Sequence, residues 1–453
     1  MNRPLRNVLT IGIAWTLSFE AFADLRIAEF QAKNLASLDD EQLASSDWVE
    51  IRNEGGSEVD LQGYYLTDDP ENLDKWVFPS LKVGAGDEIT VFASGKDQHT
   101  RQTLFQQSNP IKPTHTNFKL SSAGDYLALV QPDGVTIEHA YAPVYPRQLG
   151  DVSYGISDTG EMGYFKTPTP GKSNGAIESL GPYVSEVMNV TGRPVVGETK
   201  TTVITAKVMP NESEIANVTL FYRFMFKNEV SLAMKDDGAS PDETAGDGIY
   251  SASFSMTTLF GSAVKPGEML RWRVEAEDDQ GAVFSDPWVH DPDDSDIYYG
   301  TVAMDPSIDT KLPVLHRFFE QPNRAETGSG TRGALFYEGE FGAEFYDNVF
   351  VRIRGGTATS WPKKAYKIEL NEDHEFQFDA ELPRVTEFDQ NTTYTDKSYC
   401  RAILTTELHQ DSGTHSPITF PMRVQQNGEF YSVSLYVEQP DKDFLRRGNL
   451  DPE

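Results

Sequence analysis

VFVRIRGGTATSWPKKAYKIEL, residues 349–370, decides how the last third of this chain folds. Side chains of an extended strand alternate between its faces. Val349, Val351 and Ile353 therefore share one side, and Phe350, Arg352 and Arg354 the other. GGTATSWP reads as a turn. In the next strand Tyr366, Ile368 and Leu370 fall together, with Ala365, Lys367 and Glu369 opposite. Five cations gather here: Arg352, Arg354, Lys363, Lys364 and Lys367. The whole chain has formal net charge -31. Residue types alone leave two readings open: a site for an anionic ligand, or a sheet surface whose bases pair with acidic neighbours.

Downstream, residues 371–395 read as irregular. A helix is expected over Asp396–Gln410, with Asp396 as its N-cap and Tyr399, Ile403, Leu404 and Leu408 at helical spacing. Gly413 supplies a stop. FPMRVQQ and EFYSVSLYVE then flank Asn427-Gly428, a strong hairpin signal. QPDKDFLRR begins another helix. The order is strand, strand, helix, hairpin, link, helix, which is that of a kinase N-terminal lobe from its lysine strand onward. Ala365-x-Lys367 has the kinase spacing, in which the lysine reaches the phosphates. On that reading Glu407 is the best-placed helix glutamate to hold Lys367, Glu387 is the second choice, and Glu438 falls at the hinge between lobes.

At RIRGGTATSWPKKAYKIEL (352–370), RAILTTEL (401–408) and MRVQQNGEFYSVSLYVEQPDKDFL (422–445) the sequence resembles the spore coat CotH kinases. The likeness covers about 345–453, within a region taken as 312–453. It implies an atypical kinase fold and phosphorylation of a protein substrate with ATP and a divalent metal. By this resemblance Lys367 contacts phosphate, with Arg354 and Lys364 as further cations nearby. The metal-holding carboxylates of a kinase come from its second lobe, and Asp373, Asp379 and Asp389 lie in the wrong part of the chain to replace them. The expectation is a truncated, nucleotide-holding lobe with no catalytic residue of its own.

Upstream, residues 24–176 read as strand after strand, with Gly, Asp and Asn between them: LRIAEF, DWVEIRN, VDLQGYYLTD, KWVFP, DEITVFAS, TNFKLS, DYLALVQPDG and DVSYGI. This spacing predicts an antiparallel sandwich. The same stretches resemble the lamin tail domain, an immunoglobulin-like sandwich. Trp48, Trp76, Phe92 and Phe118 are expected in its core. The resemblance implies adhesion or positioning rather than catalysis. PTPGKSNG, 168–175, marks the domain end.

Residues 182–300 resemble the broad immunoglobulin/fibronectin class of spacer, through TTVITAKVMP, NVTLFYRFM, GIYSASFSM and MLRWRVEAED. DDGASPDETAGDGIY gathers Asp236, Asp237, Asp242, Glu243 and Asp247. These are hard oxygen ligands of the kind calcium takes, at a spacing that is not an EF-hand's. A solvated acidic loop is the plainer alternative. Asp291, Asp293, Asp294 and Asp296 form a second acidic run.

The fold class expected is thus mainly β: two immunoglobulin-like sandwiches followed by an α+β, kinase-like N-terminal lobe. The acidic balance argues against nucleic-acid binding and against attachment to anionic lipid. MNRPLRN followed by VLTIGIAWTLSFEAFA, with Ala21-Phe22-Ala23 at its end, reads as a signal peptide over 1–23. No later segment is long and apolar enough to span a bilayer. The expectation is a secreted or cell-surface protein whose partner is a protein substrate or a surface. A non-enzymatic adhesion or scaffold protein, calcium-stabilised or not, is the alternative. The lone cysteine, Cys400, excludes an intrachain disulfide and is expected buried in the helix.

Overall fold

The computed structural model describes residues 25–42, 44–98, 114–195, 201–211, 213–255, 264–288, 297–371 and 374–450. The leader 1–23 and the acidic run at 291–296 lie outside them. The fold is mainly β. The chain divides after Ile177 into two compact units; the second begins at Glu178 and holds everything after it.

The first unit is a sandwich. One sheet runs in the order Met162–Phe165, Ser153–Ile156, Leu25–Gln31, Trp48–Asn53, Glu88–Phe92. The other runs Trp76–Val77, Tyr65–Thr67, Leu127–Val130, Ile137–Tyr141. Trp48, Trp76, Phe92 and Phe118 are all buried. Each such side chain withdrawn from water contributes about 1.5–3 kcal/mol. TNFKLS does not form the expected strand. Only Lys119 of it makes a bridge, to Ser94, and His115 just before it bridges to Phe92; Thr116 turns its hydroxyl onto the Phe118 carbonyl at 2.6 Å.

The second unit opens with another sandwich. A three-stranded sheet (Tyr183–Asn189, Thr201–Met209, Ile249–Ser255) faces a sheet built on Ile215–Phe224 and Met269–Asp278. Tyr222 and Phe254, one from each sheet, stack with ring centres 3.9 Å apart.

Seven strands follow: β1 (Val314–Phe318), β2 (Thr331–Gly339), β3 (Gly342–Ile353), β4 (Tyr366–Glu369), β5 (Glu387–Asn391), β6 (Thr419–Gln426) and β7 (Glu429–Glu438). They close into a barrel in the order β1-β2-β3-β4-β5-β7-β6, sealed by parallel pairing of β6 with β1. Val349, Val351, Tyr366 and Ile368 point into its core with Phe388, Met422, Val424 and Tyr436. The alternation expected over 349–370 is therefore present. Strand β5 lies within the stretch expected to be irregular, and it is the strand that lets the sheet close.

Helix α1 covers Arg401–Asp411 rather than starting at Asp396. Tyr399 has φ +62°, which an L-residue in a helix does not take, so the helix cannot begin earlier. The Asp396 carboxylate still accepts from the Arg401 amide at 3.0 Å. Cys400 is the residue just before the helix and is half-buried, not core. Helix α2 covers Lys442–Arg447.

The second sandwich is packed onto the barrel. Met269 and Val302 share an apolar cluster with Phe318, Ala334, Phe336 and Phe345. Gly300 carries no side chain where a Cβ would stand 2.4 Å from the Phe345 ring. Arg271 pairs with the buried Asp347 at 3.3 Å, and the Tyr298 amide donates to the same carboxylate at 3.1 Å. Arg193 reaches Glu338 through two bonds of 2.7 and 3.1 Å, and His316 meets that carboxylate at 3.0 Å. Burial pushes the Glu338 carboxyl up, but the bonds from His316 and Arg193 outweigh it and bring it to about 2.

Candidate functional site

Strand β3 changes character at a bulge. Its register with β2 slips between Gly333 and Leu335, and Asn348 sits at φ +52°. Before the bulge, Phe345 and Asp347 face the sandwich. After it, Phe350, Arg352 and Arg354 lie on the outside of the barrel.

There they meet β4 and β5. Arg352 is paired in register with Lys367, and Lys367 with Asp389; Phe350 is opposite Glu369, and Glu369 opposite Glu387. Directly opposed side chains share a face. One strip therefore holds three cations (Arg352, Arg354, Lys367) and three carboxylates (Glu369, Glu387, Asp389). Lys367 Nζ is 2.5 Å from Glu387 and 3.4 Å from Glu369. Arg352 is 3.5 Å from Glu369, and the Arg354 guanidinium contacts the buried Asp389 carboxylate. Burial, then repulsion from Arg352, holds Arg354 below the usual arginine range.

The residues singled out from sequence are distributed as follows. Lys367 and Arg354 stand in the strip. Lys364 is apart, its ammonium donating to the Thr359 carbonyl at 2.8 Å. Lys363 caps Val433 O and Thr393 Oγ1 where β5 ends, so a side chain closes the seam that the strand leaves open. Glu407 is exposed on α1 and makes no ion pair among the described residues. Glu387, the second choice, holds the lysine instead, because β5 rather than the helix lies beside β4. Glu438 is buried and accepts from the Ile418 amide at 2.9 Å and from Arg447 at 2.7 and 2.8 Å. It fastens α2 to the end of the barrel.

Sequence reasoning left Asp389 and Glu369 out of the site. The alternation in EFDQN, with Phe388 inward and Asp389 outward, was the available signal. It also gave no sign of Arg317. This guanidinium is fully buried inside the barrel, between Tyr366 and Tyr431 at 4.1 and 4.0 Å, and donates to Gln390 and Gln426 at 3.1 and 2.7 Å.

A three-cation strip with carboxylates at its edges can hold an extended anion such as a polyphosphate. Each cation is partly solvent-exposed and can exchange its carboxylate for phosphate oxygen.

The second candidate lies in the sandwich. Ligand oxygens of Asp236, Asp242 and Asp247 all lie within 4.8 Å of one another. Asp236 also accepts from the Gly246 and Gly248 amides at 2.6 and 2.9 Å, which folds the loop around the three carboxylates. Asp237 points elsewhere, to Lys235 at 3.7 Å. The donor set of hard, anionic oxygens fits calcium.

Residues 351–453 match the family model described as CotH kinase protein, and residues 19–142 match that of the Lamin Tail Domain. No curated protein matches the chain. Among the described residues no helix is long and apolar enough to cross a membrane.

Proposed function

We propose that this chain, which carries a lamin tail domain and a CotH kinase region, is an exported protein whose barrel holds a nucleotide triphosphate for phosphorylation of a protein substrate. The observation that carries this reading is the placing of Arg352, Lys367 and Arg354 in one strip within the matched region. Lys367 contacts phosphate, Arg354 and Arg352 flank it, and Glu387 positions Lys367 until phosphate replaces it. We assign nucleotide holding, not phosphoryl transfer, to these residues. A divalent metal bound with the nucleotide would supply charge neutralisation. The lamin tail domain serves attachment to a surface partner.

Titration of the full chain with magnesium-ATP in a calorimeter tests the reading. Binding should be lost or weakened by about tenfold or more in Lys367→Ala, the scale of one charge-assisted contact. Absence of binding to the unaltered chain, or equal affinity in the variant, would overturn it.

The convergence of Asp236, Asp242 and Asp247 supports a second reading, a calcium-stabilised sandwich. Millimolar calcium should then raise the midpoint of thermal unfolding relative to EDTA, and Asp242→Asn should remove the difference. An unchanged midpoint in the unaltered chain refutes it.

A further inference from the structure

Glu29 and Glu50 stand opposite each other on neighbouring strands of the first sandwich, and Glu50 stands opposite Thr90 on the next. The two glutamates are fully buried and Thr90 nearly so. Side chains opposed in this way lie about 5 Å apart at Cβ. Among the described residues neither glutamate has a lysine or arginine at ion-pair distance. Arg52 is taken by Glu88 at 2.9 Å and Arg26 by Glu54 at 2.9 Å.

What covers the two carboxyls is the segment that ends the first unit. Thr169 donates its amide and hydroxyl to Glu29 at 3.0 and 2.8 Å, and Ser153 donates its hydroxyl to the same group. The Gly171 amide donates to Glu50 Oε2. Asn174 clips the far end down with bonds of 2.9 Å to the Ala28 and Ile156 carbonyls. Glu29 thus has three donors, though burial outweighs them and still raises its carboxyl. Glu50 has one, and its Oε1 is buried without a partner, as is Thr90 Oγ1 across the register. A buried carboxylate with one donor and a second carboxylate beside it is costly as an anion and inexpensive as a neutral acid.

We propose that Glu50 is a proton-operated latch: neutral, it lets the Thr169–Asn174 strap lie on the sheet, and ionised, it lifts the strap. The groups that face it are Glu29 and Glu88, which disfavour its charge, and Arg52, which favours it only from within its own pair with Glu88. Burial first, and then Glu88 and Glu29, push the Glu50 carboxyl up to about 9, against the pull of the Gly171 amide and Arg52. Its folded value lies above its unfolded value of 4.5. The stability it confers is therefore complete below that unfolded value, falls as pH rises, and is gone once pH passes about 9. The strap opens on the alkaline side.

Lys172, exposed at the tip of the strap, makes the opening measurable. Trypsin works from neutral to alkaline pH, and Lys227, exposed in the turn that follows Ile215–Phe224, serves as an internal reference. In the full chain, cleavage after Lys172 relative to Lys227 should rise by roughly two orders of magnitude between pH 7 and pH 10, following the ionised fraction of one group that titrates at about 9. Glu50→Gln, which cannot ionise, should hold the ratio flat, and Glu88→Gln should move the rise to lower pH. A constant ratio in the unaltered chain overturns the latch, and so does the same rise in a folded Glu50→Gln chain. If Glu50→Gln does not fold, amide hydrogen exchange at 169–174 of the unaltered chain decides. Protection that is lost in step with that of the sheet refutes a local latch.

Discussion

The two halves of strand β3 handle charge in opposite ways. Before the bulge, Asp347 is sealed against the second sandwich with Arg271, and burial works against both charges, raising the carboxyl and lowering the guanidinium. After the bulge, Arg352 and Arg354 belong to a strip of six charges, three of each sign, most of them partly wet. The first arrangement fixes one domain on another. The second is held by interchangeable contacts, each worth little, which is what a surface needs if a ligand is to displace some of them. A single strand thus supplies a permanent joint at one end and a replaceable one at the other.

The largest effect that sharpens this contrast should come from Asp347→Ala. It leaves Arg271 buried and unpaired, and the cost is about 3–5 kcal/mol in urea unfolding of the full chain. Replacing both partners, as Arg271→Met with Asp347→Leu, should recover most of that loss. A single variant that costs no more than a surface change would erase the distinction between the halves. Next comes Glu387→Gln, which frees Lys367. Stability should change by no more than about 1 kcal/mol, while magnesium-ATP affinity, if the nucleotide reading holds, rises severalfold. A fall in affinity would show that Glu387 positions the lysine for the bound state as well. The smallest effect is that of salt on stability. At 1 M ionic strength screening acts within about 3 Å. The cost of Arg352→Met, about 0.5 kcal/mol at low salt, should vanish there, and that of Asp347→Ala should persist.

Much of this was legible from residue types, and the failures have identifiable causes. The alternation in 349–370 placed Val351, Tyr366 and Ile368 inward and Lys367 outward. Asn427-Gly428 located the β6–β7 hairpin, and the large aromatics of the first region named its core. Strand β5 was hidden because the barrel interior is polar at that end: Gln390, an inward residue, bonds to Arg317 and Ser434, so EFDQN lacks an apolar stripe. The glutamate that meets Lys367 was sought on the helix because β5 was not seen. Asp396 resembled an N-cap and does bond to a helical amide, but Tyr399 in the left-handed region delays the helix. In WVEIRN, Val49 and Ile51 enter the core and Glu50 takes the other face. Nothing local announced that a segment about 120 residues later would cover it.

The β6–β7 turn has a consequence for the chemical lifetime of the protein. Asn-Gly is the dipeptide most prone to deamidation, since the glycine nitrogen can attack the asparagine side-chain carbonyl without hindrance from a side chain. Here the Asn427 amide is engaged at both ends by Phe319, accepting from its nitrogen and donating to its oxygen at 2.9 Å each. The Gly428 backbone lies against that of Gly267. Cyclisation has to break both bonds and move a packed turn. The site that composition marks as the first to age is therefore protected for as long as the barrel keeps these two bonds, and conversion of Asn427 to isoaspartate would serve as a slow clock of its opening.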